Sequence, residues 1–196
     1  MSIGHGIALA RFRNGALVLS AIALCAVSFW LQRENVGLRR ELEAYHSTAP
    51  LLIPKDASVP PIRGERYGGG KIEVDFAGVG RRTLFVVLDG GCDFCAGDWG
   101  FWTQLSRIAA AKSETVVFGM PISAASEKIE TNIRSIAREN RGARVLYLSE
   151  LSPEVIVGFD IHYVPETIVI DGDGRVLQAY AGVLTTTEFE GMARLL

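Results

Sequence analysis

The chain has 196 residues, 48% of them hydrophobic, with 20 basic against 22 acidic side chains and a net charge of −2. That length allows one globular domain with appendages, and the near-neutral balance excludes the basic face that nucleic-acid binding needs. Twenty-one glycines beside seven prolines fit neither collagen nor a disordered polymer, and three cysteines are too few for a disulfide-stapled scaffold, so their spacing carries more information than their number.

A mean hydropathy of +0.22 points to a local concentration of apolar residues, and this lies at the amino end. Gly15 to Leu31 carries no charge and only Ser20 and Ser28 as polar interruptions, close to the shortest run that crosses a hydrocarbon core. Arg11 and Arg13 precede it and Trp30 stands near its end, which suits a transmembrane anchor at 15–31 with residues 1–14 in the cytoplasm. Arg33, Arg39 and Arg40 pull against that orientation. A signal-peptide cut at Ala21-Ile22-Ala23 would fall mid-run, and Leu24 is not the small residue that a lipoprotein site at Cys25 would need. Cys25 reads as an apolar residue facing lipid. Residues 32–66 read as a stalk and linker. Leu31, Leu38, Leu42 and Tyr45 recur at helical spacing, and Pro50, Pro54, Pro60 and Pro61 then break the helix ahead of Gly68-Gly69-Gly70.

Residues 67–196 read as one α/β domain. Lys71–Phe76 alternates as a strand and Gly78-Val79-Gly80 turns the chain. Thr83–Leu88 is a continuous apolar run, as in a strand buried on both faces. The spacing predicts a helix over Phe94–Ala111 with Trp99, Trp102, Leu105, Ile108 and Ala109 on one face. A strand follows at Thr115–Met120, then a helix over Ala125–Asn140 and a strand at Ala143–Leu148. Ser152-Pro153 starts a short helix as N-cap and first residue. Strands at Thr167–Ile170 and Arg175–Tyr180 flank the hairpin signal Asp171-Gly172-Asp173-Gly174, and a helix over Thr187–Leu195 closes the chain. The order β-β-α-β-α-β-α-β-β-α implies helices packed on a largely parallel sheet.

Cys92-Asp93-Phe94-Cys95 falls between a buried strand and a helix start. There the first thiol meets the free N–H groups and positive end of the helix dipole, which stabilise the thiolate that attacks disulfides. Cys95, one turn on, is placed to resolve a mixed disulfide. Cys92 is the nucleophile in this reading and Cys95 the resolving thiol. Other readings of the pair stay open: half of a zinc site, a purely structural disulfide, or Cu(I) captured with His162. The scattered His5, His46 and His162 supply no obvious further ligands. Tyr163-Val164-Pro165-Glu166-Thr167 puts a proline just ahead of a strand, which is either an ordinary trans strand start or a cis bond.

Together these features resemble the thioredoxin superfamily, and within it the membrane-tethered, extracytoplasmic TlpA/ResA/CcmG-type thiol–disulfide oxidoreductases. The likeness covers roughly the final two-thirds of the chain. It rests on the C-x-x-C after a buried strand, the inserted strand and helix, Val164-Pro165-Glu166-Thr167 and Ile170-Asp171-Gly172-Asp173-Gly174. It implies an α/β thioredoxin-like fold, a central mixed sheet flanked by helices, preceded here by one transmembrane helix. It also implies a cis-Pro165 facing the disulfide, with the Val164 backbone pairing with an extended substrate. Asp98 occupies the position of an acid that modulates proton transfer at the second cysteine, unless it is simply a first-turn carboxylate favoured by the dipole. Glu166 matches the Pro-Glu-Thr of the cytochrome c maturation branch and either lies near the thiols or is a solvated strand-end residue.

Gly91 and Phe94 depart from the tryptophan and proline usual beside the cysteines. Asp89, Asp93 and Asp98, with no Lys or Arg between Arg82 and Arg107, oppose thiolate formation and make the pair more reducing. The resulting expectation is a reductase of disulfides in exported proteins such as apocytochrome c. It would be fed by a membrane or periplasmic electron donor, and would use no cofactor beyond the Cys92–Cys95 disulfide and no metal. The alternative is a thioredoxin-like binding module or copper chaperone. A peroxiredoxin would need a Pro-x-x-x-Thr-x-x-Cys surround that the chain lacks.

Overall fold

The structure is a computed structural model that describes residues 24–37, 53–76, 81–92, 94–121 and 127–196. It divides into a unit over 1–49 and one over 50–196. In the first, residues 24–37 form helix α1, whose large apolar side chains Leu24, Val27, Phe29, Trp30, Leu31 and Val36 are all exposed. The helix runs through the expected anchor–stalk boundary at residue 31. Among the described residues no helix is long and apolar enough to cross a membrane. The first nine residues of the expected Gly15–Leu31 span, and the stalk positions Leu38, Leu42 and Tyr45, lie outside the described residues.

The second unit is built on a seven-stranded sheet in the order β2-β1-β5-β4-β3-β6-β7. Its strands are β1 (Ile62–Arg66), β2 (Lys71–Val74), β3 (Thr83–Val87), β4 (Thr115–Gly119), β5 (Arg144–Leu151), β6 (Glu166–Ile170) and β7 (Val176–Ala181). β3, β4 and β5 run parallel, and every other pairing is antiparallel. The sheet is thus mixed, with less parallel pairing than the alternation of elements suggests. The apolar runs of β3 and β4 follow from burial on both faces, and β6 is buried throughout as well. Alternate residues serve two cores. Phe85, Val87, Val117, Ile168 and Ile170 point to one, and Leu84, Val86, Val116, Phe118 and Val169 point to the other.

Helix α2 (Cys95–Ala111), α3 (Glu127–Glu139) and α5 (Thr186–Leu195) cover the second face, contributing Trp102, Leu105, Ile133, Ile136 and Met192. The short α4 (Pro153–Gly158) covers the first through Val155, followed by Phe159. Of the predicted face of α2, Trp102, Leu105 and Ala109 are buried, and Ile129, Ile133 and Ile136 of α3 are buried too. Gly78-Val79-Gly80 lies outside the described residues.

One element is absent from the sequence reading. Ile62–Arg66, assigned there to the linker, is a strand within the sheet, antiparallel to both β2 and β5. Only Ile62 in it is buried, so it shows no apolar period. Its neighbour β5 consequently extends to Leu151, three residues beyond the predicted Leu148, because those residues pair with β1. Upstream, the segment from Ile53 lies along β7. Asp56 and Val59 donate to the carbonyls of Val176 and Gly174, and Val176 donates to Ala57. This covers the edge where β7 begins, at Val176.

Candidate active site

Cys92 follows β3 through a loop that is tied to itself. Gly91 N–H donates to the Asp89 carboxylate at 2.8 Å and Cys92 N–H to the Asp89 carbonyl at 3.2 Å. Cys92 and Cys95 are joined as a disulfide across the first turn of α2. The Cys95 N–H donates to Cys92 Sγ at 3.1 Å, so the sulfur takes one of the helix N-terminal donors that Phe94, with no capping side chain, does not satisfy. Cys92 is partly exposed, Cys95 is 3% exposed, and Phe94 between them is exposed. The outer sulfur is thus the one a second molecule can reach. Asp93 lies outside the described residues.

The Val164–Pro165 peptide bond is cis, the isomer expected from the resemblance. β6 pairs antiparallel with β3, with Thr167 opposite Val86 and Glu166 opposite Val87. Pro165 thus enters β6 at the end of the sheet where β3 gives way to the loop that delivers Cys92. Pro165 is buried and Val164 partly buried, while Tyr163 before them is exposed. The Gly182 N–H, in the loop joining β7 to α5, donates to the Pro165 carbonyl at 2.7 Å. One buried bond from the Trp102 indole N–H to Thr167 Oγ1, at 3.1 Å, locks α2 to β6. The cysteine helix and the cis-proline strand are therefore held by side chains as well as by the sheet.

Two carboxyls lie buried here. Asp98, one turn after Cys95, is fully buried, and both its oxygens accept from the Leu184 N–H, at 3.1 and 3.3 Å. Burial pushes its pKa up to about 7, against the Leu184 hydrogen bond, with Glu188 adding to the rise. Asp98 does lie in the first turn of α2, as the dipole reading has it, but as a buried carboxyl. Glu166 is also fully buried, and neither of its oxygens has a hydrogen-bond partner among the described residues. Burial first, and the nearby Asp160 second, push its pKa up to about 8. This rules out the solvated strand-end reading: Glu166 is buried beside the cis-proline, where burial favours its protonated form.

His162 pairs with Asp160 at 2.7 Å. Among the described residues no group of three His, Cys, Asp or Glu side chains is arranged to hold a metal ion, so the copper reading gains no donor set. Cys25 is a free, exposed cysteine on α1. Sequence reasoning missed the loop over 182–185, which touches the cis-proline through Gly182 and Asp98 through Leu184. A local signal for it exists. Thr185 and Glu188 form a capping box at the start of α5, with Glu188 N–H donating to the Thr185 hydroxyl and Thr185 N–H to the Glu188 carboxylate.

No protein-family model matches the chain, and no curated protein matches it by sequence. Solved structures do match. The thioredoxin domain of a thiol–disulfide oxidoreductase from Bacteroides vulgatus is 16% identical, with a TM-score of 0.50 over 73% of this chain and 97% of that one. A thiol:disulfide interchange protein of the thioredoxin family from Chlorobium tepidum is 16% identical, with a TM-score of 0.51 over the same shares. The second unit of this chain has a thioredoxin-like fold, with its Cys92–Cys95 pair at disulfide distance.

Proposed function

We propose that the chain is a membrane-tethered thiol–disulfide oxidoreductase that reduces disulfides of exported proteins from the extracytoplasmic side. The observation that carries this reading is the partly exposed Cys92 just before α2, in the loop that leaves β3 at the end where cis-Pro165 enters β6. In the reduced protein, the Cys92 thiolate attacks one sulfur of a substrate disulfide. The other substrate sulfur leaves as a thiolate and takes a proton. Cys95 then attacks Cys92 Sγ, the second substrate thiol departs, and the Cys92–Cys95 disulfide remains. Two electrons and two protons pass to the substrate, and a dithiol donor at the membrane restores the reduced pair.

Each neighbour has a place in this scheme. Val164 offers its backbone to an extended substrate segment, and exposed Phe94 and Tyr163 offer apolar surface beside it. Cys95 is 3% exposed, and Asp93 adds negative charge between the two cysteines, which opposes thiolate formation and favours the reducing direction. The uncharged run Gly15–Leu31 supports the tether, with residues 1–14 in the cytoplasm and the domain outside. Apocytochrome c is the substrate that Pro165-Glu166-Thr167 suggests.

Trapping tests this. In Cys95→Ser, release from the mixed disulfide is blocked, so membranes carrying the variant should accumulate adducts that need Cys92 and dissolve in reductant. Absence of any adduct, together with no disulfide reductase activity in the wild-type chain, would overturn the reading.

A further inference from the structure

We propose that Asp98 is a positioning residue for polypeptide substrates, holding the β7–α5 loop against the cis-proline segment through the Leu184 amide. The inference rests on the oxidoreductase reading above. It starts from two hydrogen bonds made by one short loop. Gly182 N–H donates to the Pro165 carbonyl at 2.7 Å, and two residues later Leu184 N–H donates to the Asp98 carboxyl. The loop is thus tied at one end to the cis-proline and at the other to the helix that carries Cys95. A Cβ on Gly97 would come within 3.8 Å of Val183 Cγ1, so the first turn of α2 also packs on the loop directly. Gly182 has φ +86, a turn that glycine makes without strain. From Thr185 onward the capping box fixes α5. Gly182 to Leu184 is therefore the piece whose place these bonds decide.

Leu184 is buried. Without the Asp98 oxygen its N–H becomes an unpaired buried donor, and the relief open to it is movement of the loop. Such movement pulls on the Gly182–Pro165 bond and displaces the edge on which an extended polypeptide would pair. A small disulfide needs only the partly exposed Cys92 sulfur. The positioning role requires an acceptor oxygen, whereas a role in moving the Cys95 proton requires an ionisable carboxyl. Asparagine separates the two, because it keeps the oxygen and loses the ionisation.

The test uses the reduced full chain in non-ionic detergent, as wild type, Asp98→Asn and Asp98→Leu, with insulin as the polypeptide disulfide and DTNB as the small one. Thermal melts establish that each variant is folded, and Asp98→Ala replaces the Leu variant if that one is not. The expected result is a KM for insulin raised roughly tenfold in Asp98→Leu, with kcat and the DTNB rate within about twofold of wild type. Asp98→Asn should restore the insulin KM, and hydrogen exchange at the Leu184 amide should be faster in the Leu variant only. If both variants slow insulin and DTNB alike, Asp98 acts on the thiols and the inference is overturned. An unchanged KM in Asp98→Leu overturns it too. A wild-type chain that reduces neither substrate instead overturns the oxidoreductase reading, and this inference with it.

Discussion

Glu166 makes stability depend on pH in a way that can be measured. Its carboxyl is fully buried and without a partner among the described residues, and its pKa rises from 4.5 to about 8. The folded state therefore holds a proton that the unfolded chain releases. The resulting stability is fully present below about pH 4.5 and is lost progressively as pH rises to about 8. At 1.36 kcal/mol per pH unit, the interval corresponds to about 5 kcal/mol, of which about 3 kcal/mol is already gone at pH 7. Glu166→Gln removes this dependence while keeping the shape. The variant carries a constant penalty for its buried amide protons, about 1–3 kcal/mol, so the difference in slope is the diagnostic and the offset is not. Urea unfolding of the oxidised chain, wild type and variant, at intervals from pH 4 to 9 measures it. Wild type should lose about 5 kcal/mol more than the variant across that range, and Asp98 contributes equally to both curves. Parallel curves would refute the buried, protonated Glu166.

Thr167→Val deletes the acceptor of the buried Trp102 indole N–H and should cost about 1–3 kcal/mol, read as a thermal midpoint several degrees lower. An unchanged midpoint would mean that the bond does not tie α2 to β6. Gly64→Ala tests the strand absent from the sequence reading. A Cβ there would collide with the Glu150 carbonyl oxygen on β5, so the two strands must part. A loss above about 2 kcal/mol, with faster amide exchange across β1, is expected. A silent substitution would remove β1 from the sheet.

The interior of this fold is written plainly in the sequence and its periphery is not. TLFVV and TVVFG are buried at nearly every position, and a strand covered on both faces must be apolar throughout. IRGER buries only its isoleucine, so nothing local separates it from a linker. The reactive pair is legible for a local reason: two cysteines three residues apart at a helix start set their own geometry. The cis bond at Pro165 came only through resemblance, since Val-Pro by itself fits either isomer. The roles of the carboxyls lie in tertiary contacts. Leu184 reaches Asp98 across 86 positions and Trp102 reaches Thr167 across 65, distances over which periodicity carries no signal. Glu166 opens a strand before a polar threonine, and only the packing of β6 between β3 and β7 buries it. The Thr185–Glu188 capping box was readable and sets the start of α5 at Thr186, one residue before the predicted Thr187.

The proposed exchange of electrons between the Cys92–Cys95 pair and other dithiols, with the pair as reductant, is open to direct measurement. Equilibrating the full chain, in detergent, against glutathione and dithiothreitol buffers of graded poise, then counting free thiols on Cys92 and Cys95 after acid quenching and alkylation, tests it directly. The expected result is a single two-electron transition, reached within minutes, with a midpoint closer to the about −270 mV of thioredoxin than to the about −120 mV of a strong periplasmic oxidant. A pair that fails to exchange, or a midpoint near the oxidant's value, would contradict it.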